Sequence, residues 1–288
     1  MNKEIIVLTG ATASGKTKIS INLAKKINAQ IICADSRIVY KNLDIVSAKP
    51  TQEEQDGVVH HLIDILEPTK EFSAGDFVLL AKEKIQEIHS KGKNVIICGG
   101  TWFYIKSLLD ENALPQCPIN PELREQLSKL TNNELWEKLN SLDALRANLI
   151  HPNNKDKVIR SIEMCLALKE PISTYKRPKN EQYKARWYMP TWDRDSLYQR
   201  INLRVDEMIK LGLYQEWLKN KELYPDSKII RNTIGYSEFF EFDDIDIAID
   251  KIKQYTRNFA KRQLTYFRSN SEIKLINNEN DILEDLNA

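Results

Sequence analysis

Eight residues near the start of the chain match the pattern G-x-x-x-x-G-K-[ST], and they constrain the fold more than any other feature. They follow the apolar run Ile5-Ile6-Val7-Leu8. A phosphate-binding loop of this kind joins a strand to a helix, so that its backbone N–H groups and the helix N-terminus face one anion. The sequence therefore predicts a site for a di- or triphosphate, with Lys16 as a mobile cation and Thr17 as a ligand of Mg²⁺. The predicted site comprises Gly10, Ala11, Thr12, Ala13, Ser14, Gly15, Lys16 and Thr17.

Short apolar runs alternate with amphipathic stretches over the first hundred residues. This alternation is typical of a parallel sheet flanked by helices, and we predict an α/β fold of the P-loop type. The predicted strands are Ile5–Leu8, Ile31–Ala34, Val58–Ile63 and Val95–Cys98, and the predicted helices are Lys16–Ile27 and Ser73–Lys91.

Three polar segments each follow one of these strands. They are the phosphate loop, Asp35-Ser36 and Gly99-Gly100-Thr101. Ligands of parallel sheets bind beyond the carboxyl ends of the strands. We therefore expect the three segments to line one crevice.

The pattern changes after Leu114, where prolines interrupt the chain. Helical periodicity follows without an intervening strand until the apolar run Trp187–Thr191, which predicts a return to the sheet. We predict a catalytic core formed by residues 1–114 and 186–288, with an all-helical insertion over residues 115–185. The predicted helices of the insertion are Pro121–Leu130, Asn133–Leu139 and Lys155–Leu168, and those that follow it are Ser196–Leu211, Tyr214–Asn220 and Ile245–Phe267.

Composition indicates a globular protein. The chain is 42% hydrophobic and 29% charged, with a formal net charge of +1, and its four cysteines have no C-x-x-C spacing. No segment approaches the roughly 18 apolar residues of a membrane span. We expect a cytoplasmic, reduced monomer without structural zinc. Six basic residues and no acidic one lie between Lys251 and Ser271; this stretch is either a nucleic-acid-binding face or an ordinary solvated helix face.

Asp35 is the main candidate for chemistry. It can be a metal ligand, a general base near the phosphates or a structural N-cap. The strand Val95–Cys98 ends in Gly99-Gly100, where many NTPases have an acid, and this disfavours ATP hydrolysis. Arg200 and Arg204 lie four residues apart, so they can bind phosphate oxygens or pair with nearby acids.

Six ordered motifs resemble the tRNA dimethylallyltransferase (tRNA isopentenyltransferase) family of bacterial type. The similarity extends from residue 5 to about residue 268. Besides the phosphate loop, the motifs are Asp35-Ser36-Arg37-Ile38-Val39-Tyr40, Ala48-Lys49-Pro50, His60-His61-Leu62-Ile63-Asp64, Gly99-Gly100-Thr101 and the segment from Ala260 to Arg268.

The resemblance implies transfer of a dimethylallyl group from dimethylallyl diphosphate to the exocyclic amine of the adenosine immediately 3′ of the anticodon in tRNA. It implies that the phosphate loop holds the donor diphosphate, that Asp35 is the general base, that Thr101 bonds the target base or Asp35, and that Arg200 binds diphosphate. It also implies contacts with the tRNA anticodon stem-loop by Asp35, Ser36, Arg37, Ile38, Thr101, Arg124, Asp156, Lys157, Val158, Ile159 and Arg160.

Three other functions use the same motifs. A small-molecule kinase would place ATP on the loop, but it needs neither the helical insertion nor the basic C-terminal helix. A prenyltransferase acting on free AMP, ADP or ATP is the second alternative. A non-catalytic RNA-binding module is the third, and the intact Lys16, Thr17 and Asp35 argue against it.

Overall fold

A computed structural model of the chain describes residues 4–109, 117, 119–175 and 183–287. It divides into two compact units, Met1–Leu109 with Glu181–Ala288, and Asp110–Asn180. The predicted boundary between residues 114 and 115 lies outside the described residues. The boundary predicted between residues 185 and 186 falls inside a strand that runs from Lys184 to Pro190.

The larger unit contains one parallel sheet. Its strands are β1 (Glu4–Thr9), β2 (Ala29–Cys33), β3 (His60–His61), β4 (Asn94–Gly99), β5 (Lys184–Pro190) and β6 (Ile273–Ile276), in the spatial order β3-β2-β4-β1-β5-β6. The described strands pair in parallel. The chain therefore crosses from one side of β1 to the other, and the loop after β1 lies where a parallel sheet binds its ligands.

Helices connect these strands. In the larger unit they are α1 (Lys16–Lys26), α2 (Gln52–Gln55), α3 (Ala74–Ser90), α4 (Trp102–Leu109), α9 (Arg194–Lys210), α10 (Leu213–Leu223), α11 (Lys228–Arg231), α12 (Ser237–Glu241), α13 (Ile245–Phe267) and α14 (Glu279–Asn287). Local signals set several ends. Ser73 and Asp76 form a reciprocal capping box at the start of α3, and Gly92, just beyond the end of α3, has a φ of +67°.

The strand predicted over Val58–Ile63 is largely a loop. Only His60 and His61 pair with β2. Leu62 and Asp64 adopt positive φ angles of 64° and 53°, which turn the chain away from the sheet. A short edge strand beside β5, β6, was not predicted.

The smaller unit is helical in its described residues. It contains α5 (Pro121–Ser128), α6 (Asn132–Leu142), α7 (Ala144–Asn148) and α8 (Lys155–Leu168). Its core includes Leu135, Leu139, Val158, Ile159 and Ile162. Over the part of the chain that the structure describes, no helix combines the length and apolarity that a membrane crossing requires.

Candidate active site

The loop between β1 and α1 has the backbone conformation that its glycines permit. Gly10 and Gly15 have φ angles of +135° and +88°, which side chains larger than hydrogen rarely allow. The Lys16 ammonium lies across this loop and donates hydrogen bonds to the Gly10 and Ala11 carbonyl oxygens at 2.8 and 2.6 Å. Burial lowers the pKa of Lys16 to about 8. The loop therefore holds a poorly hydrated cation that an anion would stabilise.

A cavity of about 110 Å³ opens beside the loop. Lys16, Arg204 and the carboxylate Asp35 supply its charge, and apolar residues such as Ile38 and Phe259 line other parts of the wall. The Gly99-Gly100 backbone also borders it. The segments after β1, β2 and β4 thus meet in one place, as the strand pattern predicted.

Asp35 and Thr101 organise the acidic side of the cavity. Oδ1 of Asp35 accepts hydrogen bonds from the backbone N–H groups of Arg37 at 2.8 Å and Ile38 at 3.4 Å. Oγ1 of Thr101 accepts one from the Ser36 N–H at 3.2 Å. Asp35 therefore caps its own turn through Oδ1, and Thr101 steadies that turn from the end of β4.

Glycine is required where the ends of β2 and β4 approach each other. A Cβ atom at Gly99 would collide with the backbone of Ala34, and one at Gly100 would collide with the Gln263 side chain. The paired glycines therefore allow segments of this chain to pack closely at the ends of β2 and β4.

The two arginines on α9 have different surroundings. Arg200 is exposed, donates from Nε to the Ala13 carbonyl at 2.9 Å, and places its guanidinium 4.3 Å from the centre of the Trp192 ring. Arg204 lines the cavity and donates to Oγ1 of Thr12 at 3.4 Å. Burial lowers the pKa of Arg204.

The nearby acid Asp206 pairs instead with Lys253 at 2.6 Å. The family resemblance implies that Arg200 binds diphosphate, but Arg204 is the arginine that borders the cavity. The role of Arg200 stays a prediction.

Two further cavity residues were missed. Gln263 on α13 accepts a hydrogen bond from the Thr12 N–H of the phosphate loop. His60 belongs to one of the family motifs but was given no role at the site, and it lines the cavity. Its Nδ1 lies 2.8 Å from the Val58 carbonyl, which fixes Nδ1 as the donor, and burial lowers its pKa. His60 pairs with Ile31 in register and so shares a face with Ile31 and Cys33, a register that the sequence alone does not reveal.

Other motif residues hold the surrounding loops together. Lys49 forms ion pairs with Asp44 and Asp64, and its ammonium donates to the Tyr40 carbonyl at 3.0 Å. Its side chain is only 6% exposed. The motifs around residues 48–50 and 60–64 are therefore joined by a structural ion pair.

The donor set suits Mg²⁺ only in part. Thr17 lines the cavity and carries a hydroxyl oxygen, and Mg²⁺ favours oxygen ligands while keeping several waters and contacting substrate phosphates. Within the described ranges, no group of three or more His, Cys, Asp or Glu side chains is placed to hold a metal ion. A cation here would therefore bind mainly through a phosphate ligand.

The residues predicted to contact tRNA fall in two places. Ser36, Arg37 and Ile38 follow Asp35 at the cavity in the larger unit. In the smaller unit, Asp156 and Lys157 are exposed at the start of α8.

The other four are not freely available. Val158 and Ile159 are buried in the core of the smaller unit. Arg124 and Arg160 both bond the buried carboxylate of Glu163, at 2.8 and 3.1 Å. Burial pushes the pKa of Glu163 up, but hydrogen bonds from Arg124 and Arg160 outweigh it, so its pKa lies below its usual value.

A parallel sheet with a glycine-rich loop after a central strand, and a cavity bearing two cations and one carboxylate, defines an α/β protein of the P-loop type with a site suited to a phosphate-bearing ligand. The sequence profile of the IPP transferase family matches residues 38–270. The chain is 40% identical over 98% of its length to the tRNA dimethylallyltransferase of Anoxybacillus flavithermus, of which the match covers 93%. It is also 40% identical to that of Staphylococcus aureus, over 99% of the chain and 96% of the relative.

Solved structures of transferases of the same kind are also similar to this chain. The full-length tRNA isopentenylpyrophosphate transferase of Bacillus halodurans matches with a TM-score of 0.71 and 37% identity, over 96% of this chain and 90% of the other. A eukaryotic dimethylallyltransferase acting on tRNA matches with a TM-score of 0.84 and 26% identity, over 96% and 74%. The chain belongs to the IPP transferase family, as its motifs predicted.

Proposed function

We propose that this transferase moves a dimethylallyl group from dimethylallyl diphosphate to the exocyclic amine of the adenosine immediately 3′ of the anticodon in tRNA. One observation carries the proposal: in a chain of this family, the phosphate loop, Arg204 and Asp35 border a single cavity. A diphosphate leaving group and an amine that must lose a proton require these two kinds of group side by side.

The cationic side of the cavity suits the donor. The diphosphate gains negative charge as its bond to the allylic carbon breaks, and fixed positive groups stabilise that charge most effectively. Lys16 now donates to loop carbonyls, and it can exchange these neutral acceptors for phosphate oxygens. Arg204 makes one long hydrogen bond to Thr12 and can likewise turn toward a phosphate.

The acidic side suits the acceptor. The lone pair of an adenine amine is delocalised into the ring, so the amine is a weak nucleophile until a base removes its proton. We assign this base to Asp35. The new bond joins nitrogen to the allylic carbon, the carbon–oxygen bond breaks with its electron pair going to diphosphate, and the proton passes to the carboxylate. General-base assistance of this kind contributes roughly 10²–10⁴ in rate.

Thr17 would hold Mg²⁺ through its hydroxyl oxygen. Such an ion would neutralise part of the diphosphate charge. The loop N–H groups and Lys16 bind and orient the diphosphate.

Recognition of tRNA is assigned to the Asp35–Ile38 segment and to α8 of the smaller unit. A stacked anticodon-loop base must be extruded before it can enter a cavity. Exposed Lys157 can meet a backbone phosphate. Arg160 can do so only by sharing its guanidinium with Glu163.

Incubation with labelled dimethylallyl diphosphate tests the proposal directly. The acceptors are tRNA carrying the target adenosine, the same tRNA with guanosine at that position, and free AMP. We expect label only on the first. Label on AMP would favour the nucleotide-prenylating alternative, whereas conversion of ATP to ADP without any transfer of label would favour a kinase and overturn the proposal.

A further inference from the structure

The carboxamide of Gln263 joins two loops that belong to opposite sides of the cavity. Its Oε1 accepts a hydrogen bond from the backbone N–H of Thr12 at 2.9 Å. Its Nε2 donates to the carbonyl of Gly100, also at 2.9 Å. The residue is only 6% exposed. One side chain thus satisfies one group in the phosphate loop and one in the turn after β4.

The packing around this bridge accommodates the Gln263 carboxamide closely. A Cβ atom at Gly100 would collide with Nε2 of Gln263, so the glycine leaves the space that the carboxamide occupies. One turn earlier on α13, fully buried Ala260 packs with Ala11, Leu197 and Ile201. The helix is therefore anchored against the loop, and Gln263 has little room to move.

The bridge continues to the assigned base. Gly100 precedes Thr101, whose Oγ1 receives the Ser36 N–H, and Ser36 follows Asp35. An unbroken series of short contacts therefore runs from the donor loop through Gln263 and Thr101 to the turn that holds the carboxylate. A displacement of either loop would change the distance between the donor carbon and the base.

We propose that Gln263 is a positioning residue of the transfer reaction, which holds the donor loop and the Thr101–Asp35 loop at a fixed separation. The inference rests on the proposed function. Gln263 need not touch either substrate. It acts by keeping the allylic carbon and the adenine amine in the attack geometry once both are bound.

Gln263→Met is the primary test, because it keeps an unbranched side chain of similar length and removes both hydrogen bonds. We expect kcat to fall on the order of 10–100-fold, the range for displacements of about 1 Å in an active site. The Kd for tRNA should change by less than about twofold, because the bridge lies inside the cavity. Turnover is measured well below the melting temperature, so that a lower stability alone would leave kcat unchanged.

Gln86→Met is the matched control, because it makes the same substitution at an exposed position of α3, which has no assigned role in binding or transfer. It should transfer as the unmodified protein does. A Gln263→Met protein that melts earlier but retains full kcat would show that the bridge only supports the fold, and would overturn the inference.

Gly100→Ala breaks the same bridge from its other end and leaves Gln263 in place. We expect a similar loss of kcat, and we expect the double variant to lose no more than either single variant, since one contact cannot be broken twice. If Gln263→Met does not fold, the Gly100→Ala variant tests the positioning role of Gln263 by itself. Full kcat in Gly100→Ala, or additive losses in the double variant, would contradict the inference.

The two hypotheses fail in different ways. If the unmodified protein does not prenylate tRNA, the proposed function is wrong. If it does, and the two bridge variants turn over normally, only the role of Gln263 is wrong.

Discussion

Both units contain desolvated charged side chains, but the hydrogen-bond partners of these side chains differ. In the smaller unit, Glu163 is 1% exposed and receives hydrogen bonds from Arg124 and Arg160. In the larger unit, Lys16 and Arg204 donate to neutral oxygens of the phosphate loop. Within the described residues, neither of these two cations forms an ion pair.

The difference separates a structural charge cluster from a binding one. Desolvated charges are costly unless they are paired, and the Glu163 cluster meets this condition with its own residues. Lys16 and Arg204 do not meet this condition, and burial lowers the pKa of both groups. A diphosphate would supply the missing negative charge, so the fold of the larger unit is arranged for a ligand.

The largest expected effect is at the carboxylate beside these cations. Asp35→Asn keeps an oxygen for the Arg37 N–H but cannot take a proton, so kcat should fall by roughly 10²–10⁴. The Kd for tRNA should stay within a few-fold. Single-turnover labelling measures the first quantity and filter binding the second. Asp226→Asn, at an exposed position, is the control. Near-normal turnover in Asp35→Asn would show that another group accepts the proton.

The next effect separates the two arginines of α9. Arg204→Met removes a charge that borders the cavity, and hydrogen bonds to charged groups contribute about 1.5–3 kcal/mol. The Kd for dimethylallyl diphosphate should therefore rise about 10–100-fold. Arg200→Met removes an exposed charge on the outside of the loop and should cost less. Calorimetric titration compares them. A larger loss in Arg200→Met would show that Arg200 turns inward when the donor binds.

Donor affinity should also depend on pH. Because the pKa of Lys16 is lowered to about 8, the free protein loses this cation as the pH rises through that value. The diphosphate favours the protonated form, so binding above pH 8 must take up a proton. Affinity should then fall by up to about tenfold per pH unit. In Lys16→Arg the guanidinium stays charged, and the slope should disappear. An unchanged slope would assign the titration to another group.

The smallest effect tests which basic residues of α8 face RNA. Lys157→Ala should reduce the slope of log affinity for tRNA against log salt by about 1, with no change in stability. Arg160→Met should instead lower the free energy of unfolding, because Glu163 keeps only part of its charge compensation. Salt titrations and urea denaturation measure the two quantities. If Arg160→Met changes the salt slope and leaves unfolding unaffected, its pairing with Glu163 is dispensable.

Local sequence patterns were enough to place the motif residues at one site. The other residues of the site are brought there by long-range packing. The phosphate loop, Asp35 and the Gly99-Gly100 turn could be placed together because each follows a strand of one parallel sheet. Arg204 and Gln263 could not, since they reach Thr12 from 192 and 251 residues away. Their helices show the correct periodicity, but periodicity does not reveal which loop a helix covers.

Arg124 and Arg160 also have contacts that the local sequence does not reveal, and in their case the contacts occupy residues predicted to be free for tRNA. On the sequence they are basic residues on helix faces, and nothing local indicates that Glu163 holds both. The strand predicted over Val58–Ile63 was too long for a different reason. Its composition favours a strand, but Leu62 and Asp64 adopt positive φ angles that end the strand early.

The separation between Thr12 and Gln263 also has a consequence for biosynthesis. A ribosome adds roughly 5–20 residues per second, so Gln263 is made about 13–50 s after the loop it secures. Throughout that interval, the nascent chain carries its phosphate-binding motif without the helix that fixes it. A phosphate site that depends on this bridge is therefore complete only after about 250 further residues have followed the motif.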